Sequence, residues 1–218
     1  MNLNKRNLSL LWSAQIISAA GDAVYQLALL WLVLDMTNSS IVTGLVAMSA
    51  YLPALIFGLY AGVMADKMNR LWLMMIANAG QALTVLLIPF SLWFGYKNIL
   101  LVAGLAFLRS CFNTLFQPAF NSFIPMLFPK KRLVRVNALL ATSGQLAWML
   151  GPFFAGVLLS ISSLPNLFIV DSTSFIAAIF LLFFLRRPAR LTQLDEHSHW
   201  QELKDEFPIW KNKNHCFG

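Results

Sequence analysis

The stretch GLYAGVMADKMNR, residues 58–70, sets two glycines, Gly58 and Gly62, and then three charges, Asp66, Lys67 and Arg70, between two strongly apolar blocks. Each block runs for about twenty residues, the length of helix that crosses a hydrocarbon layer roughly 30 Å thick. The polar gap between them is long enough only for a tight turn, so the chain leaves the layer and re-enters it at once. The same alternation continues along all 218 residues, of which 58% are hydrophobic and 11% charged, with a mean hydropathy of +0.66. A water-soluble domain carries about a quarter charged residues. This composition defines an all-α integral membrane protein.

The formal net charge of +7 does not make the chain a nucleic-acid binder. Its basic residues fall in short clusters between apolar blocks and not along one polar face, which is the pattern of topogenic charge. The first apolar block is too long for a signal-peptide core, contains Asp22, and is followed by LDMTNSS without a small-residue cleavage pattern, so it is a retained span. Cys111 lies inside a span and Cys216 near the end of the chain. They form neither a disulfide framework nor a metal-ligand spacing, and no cofactor is implied.

Blocks and breakers together predict six spans, near residues 8–34, 41–64, 71–93, 99–120, 137–161 and 165–185. An even number of spans puts both ends of the bundle on one side. Lys5 and Arg6, Lys67 and Arg70, the group Lys130, Lys131, Arg132 and Arg135, and the group Arg186, Arg187 and Arg190 all fall on that side, whereas the opposite loops hold only Lys97. The positive-inside rule makes that side the cytoplasm and the location the cell inner (plasma) membrane. Residues 1–190 form the bundle on this reading. In the segment 191–218, Trp200, Leu203, Phe207 and Trp210 form one apolar stripe if helical, which suits a cytoplasmic amphipathic linker lying on the membrane surface.

Ionisable residues are costly in hydrocarbon, so they face protein or a wet cavity and mark candidate functional positions. On the first span, Gln15, Ser18, Asp22, Tyr25 and Gln26 project within an arc of roughly 100°. On the fourth, Arg109, Asn113 and Gln117 make a second stripe, widened by Ser110, Thr114 and Asn121. Two such stripes facing each other would enclose a water-accessible path. Asp22 and Arg109 then have two readings, a buried structural ion pair or a proton-coupling pair. Burial favours the neutral carboxyl and a nearby guanidinium the charged one, and a group held between those influences can load and release a proton. Asp171 is expected near the outer interface, hydrogen-bonded to Ser172 and Ser174, and Asp35 in the outer loop. Tyr25, Tyr51, Phe112, Phe116 and Trp148 are aromatic candidates for the wall of a substrate site or for ordinary packing.

Helices in lipid associate where small side chains let backbones approach. Gly44, Gly58 and Gly62 mark such a face on the second span, and Gly144, Ala147, Gly151 and Ala155 mark one on the fifth. Pro152, with Gly156 beyond it, is expected to bend or loosen the fifth span, and Pro53 the second. In the opening stretch, Asp66 is expected at or just before the start of the third helix, where a carboxylate caps free N–H groups and meets the positive end of the helix dipole.

Several of these stretches together resemble a known family. GVMADKMNR is similar to the cytoplasmic-loop signature of the major facilitator superfamily, matched by Gly62, Asp66, Lys67 and Arg70, with Leu71 where many members carry a second base. MLGPFFAGVLL resembles that family's antiporter signature through Gly151, Pro152 and Gly156, with Ala147 and Ala155 where glycines are frequent, and Arg109 stands where drug-efflux members carry a fourth-helix arginine. SAAGDAVYQLAL, FQPAFNSFIPMLFPKKRLVRVNAL and DSTSFIAA follow the order seen in the twelve-span branch that includes macrolide and enterobactin exporters.

The resemblance implies one six-helix half of a major-facilitator fold, a 3+3 inverted repeat, working by alternating access with the first and fourth spans lining the cavity. It implies proton-coupled efflux of drugs or other small amphipathic compounds, macrolides and siderophores among them. Partners would be membrane lipid, the substrate, protons, and either a missing C-terminal half or a second copy. The loop of Gly62, Asp66, Lys67 and Arg70 would act as a conformational latch and Gly151, Pro152 and Gly156 as a bend. Because the family has two halves, the chain reads as a truncated or split gene product or a fragment. Competing readings are a self-assembling half, a non-transporting membrane subunit or pore, and the membrane half of an ATP-driven exporter, although the chain has no P-loop. No nucleophile–base set supports an enzyme.

Overall fold

The apolar blocks become six helical spans long and apolar enough to cross a membrane. The computed structural model describes residues 3–185, and the amphipathic stripe expected in 191–218 lies outside them. The first span is α1 (Leu3–Thr37); the second is made of two helices, α2 (Ser40–Ser49) and α3 (Leu52–Lys67); and the rest are α4 (Arg70–Trp93), α5 (Ile99–Leu127), α6 (Lys130–Ile161) and α7 (Leu164–Phe183).

Local chemistry accounts for the boundaries. Asn38 takes the left-handed conformation, φ 50°, just past α1, and its N–H bonds the Leu34 carbonyl at 2.8 Å; asparagine is one of the few residues that tolerates this C-terminal geometry. Ser39 then caps α2 through its side chain, which accepts from the Val42 N–H at 3.4 Å. Gly95, φ 78°, makes the turn after α4, and the Asn98 side chain caps α5 by accepting from the Leu100 N–H at 2.9 Å.

Three expectations change. The second span is not one helix over 41–64 but breaks at Ala50 and Tyr51, because Pro53 occupies the first turn of α3, where its missing N–H is harmless. The fifth span begins at Lys130 and not near 137: its basic residues are good helix formers and extend the helix beyond the apolar block. Asp66 does not cap the third span. It lies in the last turn of α3, the α4 N-cap is Asn69 without a side-chain hydrogen bond, and the Asp66 side chain makes no hydrogen bond or ion pair among the described residues. Pro152 leaves α6 helical from end to end, as do Pro118 and Pro125 in α5.

Packing centres on α1, which contacts α7 and α6 extensively and also meets α2 and α5, while α4 packs on α5 and α7, and α3 on α5. Val24, Leu29 and Val33 of α1, Val85 and Ile88 of α4, Val102 and Ala106 of α5, and Phe168 and Phe175 of α7 meet in the core. Glycine allows the closest approaches: a Cβ on Gly21 would strike Ser174 and Asp171, one on Gly80 would strike the Phe112 ring, and one on Gly151 would strike Ala23. Gly44, Gly58, Gly62, Gly144 and Gly156 behave differently, since a Cβ at any of them would meet nothing within 4 Å. The second and fifth spans therefore keep apolar faces uncovered, with Leu59 91% exposed on α3 and Met149 77% exposed on α6.

Polar ties cross the bundle. The Trp12 indole N–H donates to the Ser143 hydroxyl at 2.8 Å, linking α1 to α6, and the Ser172 hydroxyl donates to the Ala82 carbonyl at 2.9 Å, linking α7 to α4.

Candidate functional site

The break in the second span and the polar stripes of α1 and α5 meet at one place. The Ser110 hydroxyl of α5 donates to the Ala50 carbonyl at the break, so a backbone group released by the helix end is satisfied inside the bundle. Beside this contact lies a cavity of about 440 Å³, lined by Asp22, Tyr25 and Gln26 from α1, Tyr51, Ala54 and Gly58 around the break, Arg109, Asn113, Thr114, Gln117 and Asn121 from α5, and Trp148 from α6. The two stripes expected to face each other do so here.

At its inner wall the Arg109 guanidinium donates to the Asp22 carboxylate. The pair is largely withdrawn from solvent, with side chains 11% and 26% exposed, the larger figure belonging to Asp22. Arg109 also lies over the Tyr25 ring, 3.9 Å from guanidinium carbon to ring centroid, and 5.5 Å from the Phe175 ring. An aromatic face attracts a cation by about 2 kcal/mol when both are desolvated. Tyr25 is fixed in turn by an edge-to-face contact with Phe168, centroids 5.8 Å apart. The guanidinium is thus held by a carboxylate at one side and ring faces at another.

Asp171 departs from its expectation. It is not at an outer interface but 0% exposed in the core, with Oδ2 3.7 Å from Arg109 Nη2. The Ser174 hydroxyl donates to the Asp171 main-chain carbonyl at 2.7 Å. Ser172, also expected to support Asp171, bonds α4 instead. The site therefore contains two carboxylates and one guanidinium, and the sequence signal for the third member was an Asp within an apolar block.

The remaining candidates divide. Gln15 and Ser18 do not line the Asp22–Arg109 cavity; they border a separate void of about 10 Å³ with Asn78, Phe116 and Phe120, about two turns and one turn before Asp22 along α1. They share the face of α1 that carries Asp22, and the rise along the helix axis separates them from that cavity. Among the aromatic candidates, Tyr25, Tyr51 and Trp148 line the cavity, whereas Phe112 lies against Gly80 and Phe116 stacks on Phe120 with centroids 5.6 Å apart. Gly62 faces open space, Asp66 and Lys67 are exposed, and Arg70 is half-buried with its Nε unpaired among the described residues. Gly151 packs on Ala23, the neighbour of Asp22, while Pro152 and Gly156 are exposed.

Four of the six spans line a cavity walled by intramembrane charge, amides and aromatic rings, which is the architecture of a helical membrane transporter. The sequence pattern of the Major Facilitator Superfamily matches residues 11–217, and the chain belongs to that family, which is one of transporters and not of enzymes. It is 31% identical over 194 residues to the uncharacterized MFS-type transporter YfiS of Bacillus subtilis, covering 86% of this chain and 44% of the relative. It is 25% identical over 183 residues to macrolide efflux protein A of Streptococcus pyogenes, with 82% of this chain and 44% of the relative covered. With the multidrug efflux pump Tap of Mycobacterium tuberculosis it shares 31% identity over 165 residues, 73% of this chain and 39% of the relative. The chain spans less than half the length of these relatives.

Proposed function

We propose that this six-helix unit is the N-terminal half of a proton-coupled exporter of small amphipathic compounds, with Asp22 as the group that loads and releases the proton and Arg109 as its counter-charge. The observation that carries this reading is the pairing of Asp22 with Arg109 at the wall of a polar cavity inside an apolar bundle. Buried ion pairs gain little stability over apolar packing, because desolvation offsets most of the attraction. A pair retained there at the edge of a cavity suits a switch better than a brace. With Asp22 ionised, Arg109 ties α1 to α5. A proton arriving from the cavity cancels that charge, the tie weakens, and the two helices are released to adopt the alternative packing of the transport cycle.

Tyr25, Gln26, Asn113 and Gln117 form the substrate-facing wall in this reading, with Tyr51 and Trp148 offering ring faces to a bulky apolar solute. Gln15 and Ser18 border a separate small void further along the same face of α1. The names of two relatives, a macrolide efflux protein and a multidrug efflux pump, support outward transport of drug-like compounds, and the sequence likeness to enterobactin exporters keeps siderophores in the same class. The uncovered faces of α2, α3 and α6 are where a second six-helix half would dock, with Gly62, Asp66, Lys67 and Arg70 meeting it as the latch and Gly151, Pro152 and Gly156 as the antiporter-type bend of α6, of which Gly151 packs against Ala23 of α1.

Lys and Arg distribution puts both ends of the bundle in the cytoplasm. A phosphatase reporter that requires export should be inactive when fused after Lys67 and active when fused after Asn38, and the opposite pattern would reverse the orientation. The transport reading is tested with the complete transporter in everted membrane vesicles. Asp22→Asn should lower proton-driven substrate accumulation at least tenfold while leaving substrate binding within about threefold. Undiminished proton-driven transport by that variant would remove Asp22 from the mechanism.

A further inference from the structure

Asp171 is a charge-bearing group that the mechanism above does not use. It is fully buried on α7, and neither of its carboxylate oxygens has a hydrogen-bond partner among the described residues. Of its neighbouring hydroxyls, Ser172 is committed to the Ala82 carbonyl at 2.9 Å, and Ser174 donates to the Asp171 main-chain carbonyl at 2.7 Å while lying beside the carboxylate. On the α1 side the backbone of Gly21 closes over its Oδ1. The charged and titratable groups near it are Asp22 and Tyr25 on α1 and Arg109 on α5; α4 adds no charged residue to its buried face, and on α6 the described charges stop at Arg135, in the first two turns. Arg109 Nη2 stands 3.7 Å from Asp171 Oδ2 while donating to Asp22.

Two ionised carboxylates against one guanidinium would leave an uncompensated negative charge in the core of the bundle, which is far costlier than a compensated pair. One added proton makes the cluster neutral, and two neutral arrangements exist. In one, Asp22 is ionised and paired while Asp171 is a carboxylic acid; in the other, Asp171 is ionised and paired while Asp22 is the acid. We propose that Asp171 is the second carboxylate of the coupling site and shares a single proton with Asp22, the Arg109 guanidinium moving between them.

This inference rests on the transporter reading for its purpose, but not for its test. In the exchange one carboxyl O–H breaks, one forms on the other Asp, and the net charge of the cluster stays at zero. Arg109 has only the gap between its two partners to cross, and the Tyr25 ring beneath it keeps a favourable contact in both positions. The exchange also makes titration a property of the pair and not of either residue.

Infrared difference spectroscopy on the full chain in lipid nanodiscs at neutral pH tests this without any transport. The wild type should show a protonated-carboxyl C=O band with two components, one for each carboxyl, and that band should be lost in Asp171→Asn. It should equally be lost in Asp22→Asn, because the remaining Asp171 then ionises against Arg109. A wild type without the band or with a single component, or a band that survives in either variant, would overturn the sharing. If Asp171→Asn yields no folded protein, the wild type and Asp22→Asn spectra still decide, with two components then loss supporting it and any other result overturning it. The vesicle assay on Asp22→Asn reports separately on transport, so each idea can fail alone.

Discussion

Asp22 and Arg109 lie 87 positions apart in the chain and form one contact in the fold. Each was legible in the sequence because a charge in an apolar block stands out whatever the tertiary structure. Asp171 is equally visible but its depth is not: distance to the nearest loop points to the outer interface, whereas the face that α7 turns toward α1 is set by packing at Gly21 and Ser174, which no single helix encodes. Gln15 and Ser18 part from Gln26 along the helix and not around it, since eleven residues return α1 to nearly the same face about 16 Å further on. The Tyr25 ring under Arg109 was also named beforehand, though not for a cation contact. Its hydroxyl has no partner among the described residues, so Tyr25→Phe should leave thermal stability of the detergent-solubilised protein within about 0.5 kcal/mol. Tyr25→Leu removes the ring face and should cost about 2 kcal/mol or more. Equal melting temperatures for the two variants would show that the ring face contributes nothing to holding the guanidinium.

The second and fifth spans show how proline acts according to its place. Pro53 sits where the chain starts a new helix, so α2 and α3 separate; Pro152 lies within α6, which continues through it. Sequence reasoning identified both prolines as perturbations, but which one ends a helix depends on whether another element can satisfy the backbone groups set free. For the second span that element is α5, through the Ser110 hydroxyl on the Ala50 carbonyl. Ser110→Ala should leave this half-buried carbonyl without its protein donor, costing about 0.5–1.5 kcal/mol as a lower unfolding temperature in detergent, whereas Thr at the same position should restore most of it. No difference between Ala and wild type would mean that the break is stabilised by Pro53 alone. The same residue borders the cavity, so the device that positions α2 against α5 also shapes the candidate site.

The six-span architecture was legible almost throughout, because apolar blocks of membrane length, charged gaps and a family-like loop all point the same way. Tertiary pairing was not, since lipid-facing and protein-facing surfaces are both apolar and binary patterning carries little information in a bilayer. The glycines show this well: Gly151 looked like the others but alone on its helix touches a neighbour, while Gly44, Gly58 and Gly62 face outward. The proposed docking of a second half is supported by the uncovered apolar faces of α2, α3 and α6 and by a length less than half that of the relatives. The central claim is that Asp22 and Arg109 border a water-filled cavity within the membrane. It is tested most directly by introducing single cysteines into the complete transporter, with Cys111 and Cys216 replaced by serine, and labelling membranes with a membrane-impermeant thiol reagent. Cysteines at Gln26, Asn113 and Gln117 should label at least tenfold faster than those at the buried core positions Ala28 and Ala119. Labelling of all five at the same slow rate would mean that no aqueous cavity reaches the pair.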